Sequence, residues 1–194
     1  MLAVLAPGQG SQKPGFLSPW LDVPGCEETL NKWSSLCGLD LVHLGTKADQ
    51  GEITDTAKTQ PLLVAAAILA AGQLPMHLVG MVAGHSVGEL AAAHLAGALP
   101  AEAGVKLAAD RGREMAAACQ TTPTGMSAVL GGEESEVLTA IAAAGAYPAN
   151  RNGAGQVVAA GSVEALEKLA AQPPAKARVR PLSVAGAFHT PYME

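Results

Sequence analysis

An α/β fold in two parts is predicted by three observations. An apolar run, a Gly-x-Ser-x-Gly turn and a helix-forming stretch follow one another over residues 78–99. A second apolar run, Leu2 to Ala6, opens the chain and ends in a glycine-rich loop. From Met126 to Val184 the runs alternate in the order β-α-β-β-α-β, the order of a ferredoxin-like unit.

Composition narrows the class. The 194 residues are 49% hydrophobic, which is enough for a sizeable core, and alanine supplies much of it. Aromatic residues make up 3% and the net charge is -5, so no nucleic-acid partner is expected. Cys26, Cys37 and Cys119 are odd in number and fit no disulfide framework or metal motif. Reduced thiols in a cytoplasmic protein are the expectation. The N-terminus lacks the basic region of a secretion signal. The longest unbroken apolar stretch, Leu62 to Ala71, is too short to span a bilayer, so no membrane partner is expected.

Taken in order, Leu2–Ala6 reads as a buried first strand. The loop Pro7-Gly8-Gln9-Gly10-Ser11-Gln12 lacks the spacing of a nucleotide-binding motif, but its backbone N–H groups can face a ligand oxygen. Residues 26–36 read as a helix with Leu30 and Trp33 on one face, and residues 40–55 as polar loop. Thr59-Gln60-Pro61 reads as the start of a helix, with Thr59 capping and Pro61 in its first turn. Residues 62–74 are apolar nearly all round, so that helix should be buried. Residues 78–83 form the next strand and residues 89–99 the helix after the turn. Residues 101–119 form an amphipathic helix, with Val105, Ala108, Ala109, Met115 and Ala116 inward and Lys106, Asp110, Arg113 and Glu114 outward. Thr121–Gly125 is a linker by composition. In the ferredoxin-like unit the strands are residues 126–130, 147–150, 156–160 and 178–184. The helices are residues 133–144 and a stretch capped by Ser162 that runs to Ala171. The expected division is residues 1–125 in a large subdomain, 126–185 in a small one, and a return to the large one at 186–194.

Strand, sharp turn and helix around Gly84-His85-Ser86-Val87-Gly88 make a nucleophile elbow, which gives the large subdomain an α/β-hydrolase-like character with a parallel sheet. Glycines flanking Ser86 let the backbone turn tightly and expose the hydroxyl. The following helix offers its first N–H groups to an oxyanion. A serine nucleophile needs a base. His43 and His77 lie in connecting segments, and His94 is two turns along the helix. The turn points His85 away from the hydroxyl, in a supporting place. His189, after the small subdomain, is the base by elimination, although a plain surface histidine reads equally well. The only aspartate between Ser86 and His189 is Asp110, on the outward helix face, so a Ser-His dyad fits better than a triad with an acid. Gly112 inside a helix costs about 1 kcal/mol relative to alanine, which points to a close approach there. On spacing alone Arg111 reads as a solvated arginine; buried near Ser86, it would grip a substrate carboxylate.

Together these residues resemble the malonyl-CoA:acyl carrier protein transacylases, the acyltransferases of fatty acid and polyketide synthesis. The matching stretches are Pro7–Gln12, Thr59-Gln60-Pro61, Gly84–Glu89, Arg111–Met115, Asn150–Val158 and Gly186-Ala187-Phe188-His189, in the family's order. The resemblance implies transfer of a malonyl group from malonyl-CoA to the phosphopantetheine thiol of acyl carrier protein, through a malonyl-Ser86 ester with His189 as base. It implies an oxyanion hole from Gln9 and Val87, and a substrate site drawing on Arg111, Met115, Phe188, His85 and Asn152. Ala-Phe-His at 187–189 goes with malonyl in related modular acyltransferases, because the ring crowds a methyl branch; one methylene is worth about 1–3 kcal/mol of discrimination. No permanently bound cofactor or metal is implied. Lys176, Arg178 and Arg180 alternate along a strand, which fits an acidic carrier protein or a solvated edge strand. Two other readings are a serine esterase or thioesterase, and an inactive fragment. Family members continue past the histidine loop, so the chain is expected to lack the rest of the large subdomain and, alone, to be unstable or inactive.

Overall fold

The computed structural model describes residues 1–194. Contacts divide the chain into two compact units, Met1–Glu114 and Met115–Glu194. The boundary falls inside one helix.

The first unit contains β1 (Leu2–Ala6), α1 (Cys26–Cys37), α2 (Leu41–Thr46), α3 (Thr56–Ala71), β2 (Val79–Gly84), α4 (Gly88–Leu95) and most of α5 (Ala101–Ala118). β1 and β2 pair in parallel, with Val4 opposite Val82 and Ala6 opposite Gly84. A parallel pair requires a long crossover, and α1 to α3 lie within it. The core is helical: Leu30 and Trp33 of α1, Leu41 and Leu44 of α2, Leu62, Val64 and Ala65 of α3, and Val105, Ala108 and Ala109 of α5 are buried together.

Three expectations fail in this unit. Residues 40–55 are not loop throughout: Leu41–Thr46 form α2 and Glu52–Thr54 a single 3-10 turn. Asp40 accepts a hydrogen bond from the His43 N–H and caps α2, and Leu41 and Leu44 pay its ordering cost by burial. α3 starts at Thr56, capped by Asp55, so Pro61 lies inside the helix instead of opening it. The pyrrolidine nitrogen has no proton to give the Ala57 carbonyl. The first strand is not buried: Ala6 is, but Leu2 and Leu5 are 44% and 71% exposed, as are Leu78 and Met81 of the neighbouring segment at 53% and 56%. A two-stranded sheet with two free edges, packed by α4 and α3, leaves its other side chains to solvent.

The second unit contains β3 (Thr124–Gly131), α6 (Glu134–Ala144), β4 (Tyr147–Gly153), β5 (Gln156–Ser162), α7 (Val163–Ala171) and β6 (Ala177–Leu182). Thr124 and Gly125, read as linker, already belong to β3. The sheet order is β4-β5-β3-β6 with every pair antiparallel, as a ferredoxin-like unit requires. The strands alternate faces. Val129, Val157 and Ala159 face α6 and α7, whose Val137, Ile141, Leu166 and Leu169 complete one core. Met126, Val158 and Ala160 look the other way and form a second core with Ala187 and Phe188. Ser162 caps α7 by accepting from the Ala165 N–H.

Candidate active site

The elbow is built by close approach. A Cβ on Gly84 would run into the Gly88 carbonyl carbon and the Glu89 nitrogen. One on Gly88 would run into the Ala6 carbonyl oxygen. Neither glycine has a positive φ. The left-handed residue is Ser86 itself, at φ 53°. Such a conformation costs a non-glycine residue about 1–3 kcal/mol and projects the side chain out of the turn. The glycines therefore serve through their missing Cβ, not through backbone freedom. The turn is locked to β1 by the His85 N–H donating to Ala6 O at 3.0 Å. α4 begins directly behind it, with Val87, 1% exposed, at its N-cap.

The loop after β1 lies against this turn. A Cβ on Gly8 would sit 2.7 Å from His85 Nδ1 and 2.8 Å from His85 O, so only glycine fits. Gln12, 6% exposed, holds the loop from beneath. Its Oε1 accepts from the Gly10 N–H at 2.8 Å and its Nε2 donates to Ile53 O at 3.1 Å. Gln9 Nε2 donates to Thr56 Oγ1 at 3.2 Å. Gly8 thus brings the loop that carries Gln9 against the turn that carries Ser86 and Val87. His85 is exposed beside them.

Arg111 is not a solvated arginine. It is half-buried, its Nη1 donates to Gln60 Oε1 at 2.6 Å and its Nη2 to Ser86 Oγ at 3.3 Å. Burial lowers its pKa and the nearby Glu89 charge raises it; so strong a base stays a cation throughout. Arg113, two residues on, points outward and pairs with Asp110, which also binds Lys106 at 2.7 Å. Gly112 explains why α5 reaches so close. Its Cβ position lies 2.8 Å from Thr56 O and 3.3 Å from Ala57 O, the carbonyl that Pro61 cannot serve.

His189 belongs to the second unit. Gly186, Ala187, Phe188 and Thr190 are buried, and His189 between them is exposed. It has φ 60°, the same left-handed region as Ser86. The Ala187 N–H donates to Thr124 Oγ1 at 3.0 Å, and Thr190 Oγ1 donates to Ala187 O at 2.6 Å. A side chain on Gly186 would strike Cys119. Phe188 packs with Met126, Val158 and Ala160, and Met115 borders the same cluster. Its ring is therefore an anchor for the loop. Asn152 is exposed on β4 and donates to Gln156 Oε1 at 3.3 Å.

A family described as the acyl transferase domain matches residues 5–194. The chain belongs to the acyl transferase domain family. Similarity extends to the malonyl CoA-acyl carrier protein transacylase of Mycobacterium tuberculosis, 59% identical over 198 residues; the match covers 100% of this chain and 66% of that protein. A crystal structure of MCAT from Mycobacterium tuberculosis superposes with a TM-score of 0.95 over 98% of this chain and 65% of that one. A type II PKS acyl-carrier protein in complex with its malonyl-transacylase, PlMCAT:AntF, gives 0.88 at 30% identity, over 98% of this chain and 65% of that one. The chain thus spans just under two thirds of these relatives' length.

Within this acyl transferase domain two of the other histidines have partners of their own. His94 Nδ1 lies 3.1 Å from Leu99 O, and His43 lies 3.6 Å from Glu52. Sequence reasoning gave no role to Gln12, Thr56 or Gln60. The available signal was polar side chains at 56, 59 and 60 on a helix that is otherwise apolar nearly all round. No helix is long and apolar enough to cross a membrane.

Proposed function

We propose that the chain is the part of a malonyl-CoA:acyl carrier protein transacylase that carries the acyl-enzyme site. The observation that carries this reading is Arg111 within hydrogen-bonding reach of Ser86 Oγ. A fixed guanidinium at that distance suits an acyl group whose own carboxylate lies two carbons from the reacting carbonyl. A neutral acyl ester gains nothing from it, which favours transfer of malonyl over general esterase action.

In the proposed reaction Ser86 Oγ attacks the thioester carbonyl of malonyl-CoA while its proton passes to His189. The oxyanion is held by the N–H groups of Gln9 and Val87. The C–S bond breaks, and the CoA sulfur leaves with the proton from His189. The phosphopantetheine thiol of acyl carrier protein then gives its proton to His189 and attacks the malonyl-Ser86 ester, and Ser86 Oγ recovers the proton as it departs. Met115 and Phe188 fix the loop bearing His189, and His85 and Asn152 border the substrate. The acidic carrier protein meets Lys176, Arg178 and Arg180, which are exposed on or beside the edge strand β6. The carrier-protein complex of the PlMCAT relative supports the partner. Absence of any cofactor or metal, and a cytoplasmic location, belong to the same proposal.

The test is incubation with malonyl-CoA followed by intact-protein mass measurement. A malonyl adduct that Ser86→Ala abolishes, and that passes to carrier protein faster than to water, is the expected outcome. Rapid hydrolysis would make the chain a thioesterase, and no adduct would leave it an inactive fragment.

A further inference from the structure

The first unit buries four polar side chains, Gln12, Thr56, Thr59 and Gln60, each at most 6% exposed. Buried polar groups are costly unless satisfied, so their placement is informative. All four lie in one connected band. Gln12 ties Gly10 to the Ile53 carbonyl, and Thr59 Oγ1 donates to that same carbonyl. Thr56 receives Gln9, and Gln60 receives Arg111. Thr56 and Gln60 are four residues apart, so they stand one turn apart on the same face of α3. One helical turn therefore holds the oxyanion loop with one residue and the arginine with the other.

The chemistry of position 60 is specific. Gln60 accepts from Arg111 at 2.6 Å, as short as a bond to a carboxylate, yet it is neutral. The two groups that accept hydrogen bonds from Arg111, Gln60 Oε1 and Ser86 Oγ, are uncharged, and the carboxylate of Glu89 acts on it only through space. A glutamate of the same shape would make the same bond and cancel the guanidinium charge. It would also face any acyl carboxylate with like charge at close range. We propose that Gln60 is the positioning residue that sets acyl specificity: its amide aims Arg111 at Ser86 without placing a second carboxylate on the guanidinium, which stays open to donate hydrogen bonds to a carboxylate on the acyl group. This rests on the malonyl-transfer reading for the substrate and adds the residue that selects it.

The test compares the full chain with Gln60→Glu and Gln60→Met in two assays. In the first, initial rates of acyl-enzyme formation from malonyl-CoA and acetyl-CoA are read by intact mass. The malonyl-to-acetyl ratio should fall at least about tenfold in Gln60→Glu, and less in Gln60→Met, which removes the acceptor without adding charge. In the second, malonate is added during thermal unfolding. Malonate should raise the melting temperature of the parent chain and not that of Gln60→Glu, whose circular dichroism should match the parent. Malonyl labelling of the parent with an unchanged ratio in Gln60→Glu overturns this proposal and leaves malonyl transfer standing. No labelling of the parent, with malonate stabilising it and not Gln60→Glu, overturns malonyl transfer and supports the role of Gln60. Equal malonate stabilisation of both proteins, or of neither, overturns the role of Gln60.

Discussion

Replacing Gly112 by alanine sets two effects of known size against each other. In an open helix the change stabilises, because glycine is about 0.8–1.0 kcal/mol worse than alanine. Here the new methyl would stand 2.8 Å from Thr56 O and 3.2 Å from Ala57 Cα, and both are backbone atoms of a helix start that Asp55 caps. Neither can swing aside as a side-chain tip would. Forcing extra volume into a packed contact costs about 1–3 kcal/mol. The sum is a net loss of about 0–2 kcal/mol, or up to roughly 4–8 °C in melting temperature for a chain of this size. The clash also levers α5 away from α3, so Arg111 should lose its reach to Gln60 and Ser86. Urea unfolding followed by circular dichroism measures the first effect, and the rate of malonyl labelling the second. A stabilisation of about 1 kcal/mol with labelling intact would refute the reasoning. It would mean that α5 has room at Gly112 and that the glycine is not there for contact.

Two further outcomes follow from burial. Burial raises the Cys37 pKa above its ordinary 9.0, with Asp110 adding to the rise and Lys106 and Arg113 opposing it. The folded chain holds this proton more tightly than the unfolded chain, so its contribution is complete below pH 9 and lost as pH rises through the folded value. Cys37→Ala should flatten the alkaline limb of stability against pH above about pH 9; an unchanged limb assigns that loss to other groups. Leu5 and Met81 form part of an exposed apolar face on a sheet with open edges, an invitation to association. Leu5→Lys should therefore lower both dye binding to exposed apolar surface and light scattering at high concentration. Values equal to the parent's would place the sticky surface elsewhere.

Sequence alone located the candidate motifs of this chain. Gly84–Glu89, Pro7–Gln12, Arg111–Met115 and Gly186–His189 are contiguous stretches, so they can be picked out without knowing any distant partner. The ferredoxin-like unit was legible as well, because alternation with period two, helical runs and the Ser162 cap are short-range signals. What failed were judgements of exposure and of element type that a distant partner decides. Leu2–Ala6 is apolar enough for a core strand, but exposure is decided by what packs on it. Asp40–Thr46 lacks a long periodic run, and its helix is secured by the burial of Leu41 and Leu44. Spacing favoured a solvated Arg111; only the approach of α5 to α3 at Gly112, opposite the carbonyl that Pro61 leaves without a donor, turns it inward. Gln60 and Ser86 are 26 residues apart in the numbering, and Arg111 is 25 further on. No propensity links them, and the hydrogen bonds that join them exist only because three separate segments fold against one another.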